Sequence, residues 1–266
     1  MNLKSNIPTY TYSGNVRIST GIILCRFNDN IPEVLTIQKR FSFGFADFVF
    51  GHYSGNVDER HILYLLSLMT TNELLDVKSL DFAQMWYRVW VIRNDKSDEY
   101  KKKKQRFETI FIHSDGGEYL LSLVNKAKAS GDLQWELPKG RKHYGETDLS
   151  CAMREVKEET GISEKNYVLL HGVQKEVSFR DMNVRYIHRY FVALLVSEKY
   201  DTNNLYLSVG ARDKIAEICQ MKWMSINDMK VHHGESHMLV EMIRPIFNLI
   251  KRIKKNKRHT KVLQVT

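Results

Sequence analysis

Three glutamates, Glu155, Glu158 and Glu159, stand at i, i+3 and i+4 in the segment GRKHYGETDLSCAMREVKEETGI, which runs from Gly140 to Ile162. On a helix this spacing puts the carboxylates side by side. Three carboxylates so close repel one another, and an isolated helix gains nothing from them. A hard divalent cation removes the penalty, because Mg²⁺ or Mn²⁺ takes carboxylate oxygens and retains bound water. A bare EVKEE string would read more simply as a solvated face with Arg154 and Lys157 as partners. The flanking residues reverse that preference, since Gly140, Glu146, Arg154, Gly161 and Ile162 stand at fixed distances around the glutamates.

The elements that must position these groups can be read outward from the motif. Thr147 or Asp148 can cap a helix starting there, and Gly161 can end it in a left-handed conformation. Leu149, Ala152, Met153 and Val156 give that helix an apolar face. Upstream, Val16 to Phe27 and Glu33 to Arg40 read as strands joined by a turn at Asn28-Asp29-Asn30. Strand character returns at Gln134 to Leu137, Val168 to Phe179, Val184 to Val196 and Ile215 to Met224. An amphipathic helix from about Ser236 leads into the basic tail. Between the first hairpin and the motif, apolar residues recur at helical spacing: Ile62, Leu65, Leu66 and Met69, then Phe82, Met85, Trp86, Val89 and Trp90, then Leu120, Leu121 and Val124. Trp86, Tyr87 and Trp90 could form a base-stacking platform, but their spacing favours core. The expected organisation is a catalytic α+β frame built from residues 1–40 and 131–250. A mostly helical insertion at 41–130 and a basic tail at 251–266 complete it.

Composition narrows the partners. The formal net charge is +9, and a basic field concentrates anionic ligands. The excess is clustered in Lys101, Lys102, Lys103 and Lys104 and in the tail, where residues 251–266 hold seven Lys or Arg and no acid. Cys25, Cys151 and Cys219 lie far apart with no CxxC pairing, against a zinc site or a disulfide framework. His232-His233 reads as a surface turn. No run approaches the ~18 apolar residues of a membrane span, so a soluble intracellular protein with no membrane partner is expected.

The 140–162 segment matches the signature of the Nudix family, Gly, five residues, Glu, seven residues, Arg-Glu, an aliphatic, any residue, Glu-Glu, any residue, Gly and an aliphatic. The resemblance implies an α/β/α sandwich of α+β class. It also implies metal binding by Glu155, Glu158 and Glu159, with Gly140 lending a backbone carbonyl, and attack of metal-activated water on phosphorus. Within the family Arg154 orients the glutamates, Glu146 supports the loop and Gly161 ends the helix. Some members add a later carboxylate as base or metal ligand, and Glu217 stands at the corresponding position; a surface glutamate at a strand edge is the competing reading.

The signature leaves the substrate open. TGIILCRFN, IQKRFSFGFADF, SLDFAQMWYRVW, SLVNKAKASGDLQWELPKG and KIAEICQMKW resemble the mRNA-decapping Nudix proteins of large DNA viruses, closely those of African swine fever virus and more distantly those of poxviruses. That resemblance implies hydrolysis of capped RNA to m7GDP and 5′-monophosphate RNA in the host cytoplasm, with packaging in the virion and a homodimer as open expectations. Lys101–Lys104 together with Lys251, Arg252, Lys254 and Lys255 are the candidate RNA contacts. Phe41, Phe43, Tyr53 and Phe179 are candidates for stacking on the cap. Diphosphoinositol polyphosphates or another nucleoside diphosphate derivative are the alternative substrates, and a non-catalytic RNA-binding module is the non-enzymatic one.

Overall fold

The computed structural model describes residues 15–53, 58–90, 96–181, 184–200 and 218–263. Strands β1 (Asn15–Asn28) and β2 (Ile31–Lys39) form an antiparallel hairpin. Its two-residue turn is Asp29-Asn30, with φ of 45° and 72°. A turn with positive φ at both central residues has the twist a hairpin needs, and Asp and Asn tolerate that region. The run Ile22, Ile23, Leu24 and Cys25 is wholly buried, the pattern of a strand covered on both faces.

Among the described residues, six helices separate this hairpin from the rest of the sheet: α1 (Phe43–Val49), α2 (Glu59–Ser67), α3 (Thr71–Ser79), α4 (Phe82–Val89), α5 (Asp98–Phe111) and α6 (Glu118–Lys126). Ser42, Asp58, Thr70, Asp81 and Ser97 cap five of them by accepting a backbone N–H. Their apolar faces close on a common cluster that includes Phe48, Ile62, Leu66, Trp86, Phe107, Phe111 and Leu123 and draws on no strand of the sheet. Trp86 is fully buried, and Trp90 packs on it with ring centroids 5.9 Å apart. The core reading holds for Trp86, while Tyr87 is only partly buried against the cluster and Trp90 is exposed. Trp90 and Leu121 keep 36% and 40% exposure, because each sits at the border of its helix's buried stripe.

The chain then returns to the sheet through β3 (Trp135–Glu136) and β4 (Lys139–Gly140), followed by α7 (Asp148–Thr160), β5 (Tyr167–Asp181), β6 (Val184–Leu195), β7 (Ile218–Met224), α8 (Ile226–His233) and α9 (Met238–Leu263). The sheet path runs β3-β2-β1-β6-β5, with β4 paired to β1 and β7 to β2. Only the β1–β6 pair is parallel among these. Alternate residues of β1 face opposite layers. Ile22 and Leu24 join Ala152 and Val156 of α7, whereas Ile23 and Cys25 join Val240, Ile243 and Phe247 of α9. The result is helix, sheet, helix. No helix among the described residues is long and apolar enough to cross a membrane.

Two local readings change. His232 and His233 are not a surface turn; they end α8, where Gly234 stops the helix with φ of 87°. His233 stacks on His237 with centroids 4.6 Å apart. The basic tail is not a separate segment either, since α9 carries on through Pro245 to Leu263.

Burial, then His237 and His232, pull the His233 imidazole down to about 4, against about 6.5 in an unfolded chain. The unfolded state then binds a proton that the folded state refuses, so stability is complete above pH ~6.5 and is lost as pH falls toward 4. Melting temperature measured between pH 7 and 4 should fall more steeply for the native chain than for His233→Phe.

Candidate active site

α7 begins with a reciprocal cap: Ser150 N donates to Thr147 Oγ1 at 3.1 Å, and Thr147 N donates to Ser150 Oγ at 2.9 Å. It stops at Gly161, whose φ of 73° is left-handed. Of the two capping candidates, Thr147 is the one used. Asp148 instead sits in the first turn and pairs with Lys142 at 2.7 Å and with Arg189 of β6 at 3.1 Å.

Arg154 joins the loop before the helix to the helix's own glutamates. Its Nε and Nη2 donate to the two oxygens of Glu146 at 2.6 and 2.9 Å. Its Nη1 donates to Glu155 at 2.5 Å and to Glu158 at 2.8 Å, and Nη2 also reaches the Arg141 carbonyl at 3.0 Å. The Arg154 guanidinium, with the His143 N–H beside it, holds the Glu146 carboxyl down to about 2. One planar, permanently charged fork thus orients three carboxylates.

Glu155 and Glu159 are each 8% exposed, against 29% for the Glu158 side chain. The Glu155 carboxylate lies directly over Gly140 Cα: a Cβ at residue 140 would stand 2.1 Å from Glu155 Cδ. Glycine is needed there for close approach. Glu159 turns inward, accepting the Lys139 N–H at 2.9 Å, with Lys39 Nζ 3.6 Å away. Burial raises its carboxyl to about 8 against the opposing pull of Lys39. Behind it Glu136 meets Lys39 Nζ at 3.1 Å and pairs with Lys139 Nζ. Burial would raise the Glu136 carboxyl, but these two ammonium groups outweigh it and hold it down to about 2. His188 of β6 is lowered to about 4 by burial and then by Lys139.

The three glutamates do not form a ready cage: among the described residues no three His, Cys, Asp or Glu side chains gather as a metal site. Arg154 takes oxygens of Glu155 and Glu158, and the Lys139 amide takes one of Glu159. The residues still suit a divalent cation on two grounds. The backbone of Gly140 lies bare beneath a carboxylate, and the buried Glu159 carboxyl bears a desolvation cost that a bound cation offsets. Lys39, Lys139, Glu136 and His188 carried no motif in the sequence, and strand pairing alone brings them here.

The other candidates scatter. Lys101 and Lys104 of α5 stand near Asp98 and Glu108, at 3.5 and 3.7 Å. Lys101 to Lys104 are consecutive on a helix and so spread around it instead of forming one stripe. Lys251, Arg252 and Lys255 are exposed on α9, while Lys254 Nζ sits 4.1 Å from the centroid of the Phe27 ring. Tyr53 is 4% exposed beneath Arg106, which removes it as a stacking surface; Phe43 is 59% exposed, and Phe179 stacks on Tyr186. Glu217 lies outside the described residues.

In Gly140→Ala the new Cβ meets the buried, ion-paired Glu155 carboxylate and no backbone atom among its nearest neighbours, so the protein should still fold, with a lowered melting temperature. Metal-dependent turnover should drop by roughly 10–100-fold, the cost typical of misoriented metal ligands, as read by steady-state kinetics.

A profile of the NUDIX domain matches residues 103–242. The mRNA-decapping protein g5R of African swine fever virus is 40% identical over 239 residues, covering 89% of this chain and 95% of that protein. The asymmetrical bis(5′-nucleosyl)-tetraphosphatase of Rattus norvegicus is 39% identical over 51 residues, 19% of this chain and 35% of that protein. Among solved structures, a C. elegans Ap4A hydrolase in a binary complex aligns with a TM-score of 0.44 at 12% identity, covering 88% of this chain and 96% of that one. With its signature helix and with relatives matched along nearly its whole length, the chain belongs to the Nudix hydrolase family.

Proposed function

We propose that this protein decaps mRNA, hydrolysing the 5′ cap to release m7GDP and a 5′-monophosphate RNA. The observation that carries this reading is the extent of the match to a decapping protein. Coverage of 89% of the chain takes in the helical block as well as the Nudix sheet, whereas the tetraphosphatase match spans 19%.

Glu155, Glu158, Glu159 and the Gly140 carbonyl would hold Mg²⁺ or Mn²⁺, with Glu217 as a further ligand or base. When bound, such a cation supplies an acidified water and neutralises charge on the bridging phosphates. Arg154 keeps Glu155 and Glu158 aligned through the hydrolysis. Water cleaves the phosphoanhydride bridge: a bond from its oxygen to phosphorus forms as the bridging P–O bond breaks, methylated GDP leaves with the bridging oxygen, the RNA keeps one phosphate, and the water's proton is released to solvent. Lys101 to Lys104 on α5 and Lys251, Arg252, Lys254 and Lys255 on α9 supply cations for the RNA backbone, in the helical insertion (41–130) and the basic C-terminal segment respectively. Each phosphate they neutralise adds affinity that depends on salt and not on sequence. This reading puts the activity in the cytoplasm of an infected host cell.

Cap-labelled RNA incubated with Mg²⁺ or Mn²⁺ should yield labelled m7GDP. Glu158→Gln and Glu159→Gln should lose more than the ~10–100-fold typical of groups that merely orient ligands. Intact capped RNA alongside efficient cleavage of a diphosphoinositol polyphosphate or a free nucleotide would overturn the proposal.

A further inference from the structure

Glu136 lies outside the Nudix signature, yet it stands one side chain away from the glutamate that the signature buries deepest. Four charged groups meet there from four elements: Lys39 ends β2, Glu136 ends β3, Lys139 begins β4 and Glu159 lies in the last turn of α7. Side-chain exposures are 20% for Lys39, 13% for Glu136, 12% for Lys139 and 7% for Glu159. Water screens little at that depth, so the way these charges pair has consequences that surface ion pairs lack.

The pairing is uneven. Glu136 takes Lys39 on Oε1 at 3.1 Å and Lys139 Nζ on Oε2. Glu159 receives the Lys139 backbone N–H at 2.9 Å, and Lys39 Nζ approaches its Oε1 only to 3.6 Å. Lys39 is therefore shared between two carboxylates and lies closer to Glu136. Were the Glu136 charge absent, Lys39 would still have the Glu159 carboxylate 3.6 Å away, and Lys139 would lose the carboxylate its ammonium pairs with. A lysine closed onto Glu159 occupies the oxygen that a divalent cation needs and adds a positive charge beside it.

We propose that Glu136 is a positioning residue that keeps Lys39 and Lys139 off Glu159, and thereby sets how tightly the site takes a divalent cation. Glu136 meets Lys39 on one oxygen and Lys139 on the other, and acts on the site through those two lysines. The inference rests on reading Glu159 as a metal ligand.

The test is Mn²⁺ binding to the full chain without substrate, followed by the electron paramagnetic resonance signal of free Mn²⁺. Glu136→Gln preserves shape and removes the charge, and should weaken Mn²⁺ binding by about tenfold or more, within the range for groups that support metal ligands. Lys39→Met should bind Mn²⁺ at least as tightly as the native chain. The double variant Glu136→Gln/Lys39→Met should bind more tightly than Glu136→Gln alone, a recovery that mere structural damage at Glu136 would not give. Native affinity in Glu136→Gln, or no recovery in the double variant, overturns the proposal. Should Glu136→Gln fail to fold, weaker binding by Lys39→Met overturns it and equal or tighter binding supports it. Unchanged Mn²⁺ binding by Glu159→Gln would instead sink the assignment of Glu159 as a ligand, a separate failure.

Discussion

Everything at the site follows from the close approach of α7 to the backbone of residues 139–141. Glu155 rests on Gly140 Cα, Glu159 accepts the Lys139 N–H, and Arg154 donates to the Arg141 carbonyl. Three successive backbone units are thus gripped by three side chains of one helix. The grip is possible because residue 140 has no Cβ and because β4 is tied to β1 through Thr20 and Gly21. The opposite face of α7, through Ala152 and Val156, packs on Ile22 and Leu24 of that same strand. β1 therefore sets both the height of the helix and the position of the backbone it meets.

Much of this was legible in the chain because the signals are local. The start and stop of α7, the Asp29-Asn30 turn and the helical spacing from Ile62 to Val124 each lie within a few residues of what they specify. The charged neighbours of Glu159 were not legible. Lys39 and Glu136 are nearly a hundred positions apart, and only the pairing of Ile37 with Glu136 on adjacent strands brings them together. α8 went unread for a different reason: Met229 is its one buried side chain, so it carries no apolar stripe for a periodicity argument to find. Helical spacing put the three glutamates on one helix, but did not show that Arg154 would hold two of them while the third turns inward.

The basic segments show the limit of counting charges. A run of four lysines promises a dense patch, yet helix geometry fans Lys101 to Lys104 around α5, and two of them have acidic neighbours. Lys251, Arg252, Lys254 and Lys255 are instead carried on α9, the helix that buries Ile243, Ile246 and Ile250. Lys254 leans on Phe27, where its stem and charge meet the face of a ring.

The order of elements along the chain also has a bearing on biosynthesis. β1 emerges first, but it pairs from Asn15 to Cys25 with Val184 to Leu194, so its main partner is among the later strands to be made. The intervening helices share a buried cluster with no strand residue in it, and local contacts of that kind form fast whereas parallel strand pairing forms slowly. In the interval the first hairpin must hold the apolar run Ile22 to Cys25 and an open edge without their cover. The growing chain thus carries the apolar run Ile22 to Cys25 ahead of the helical block, and the catalytic helix gains its seat only when that wait ends.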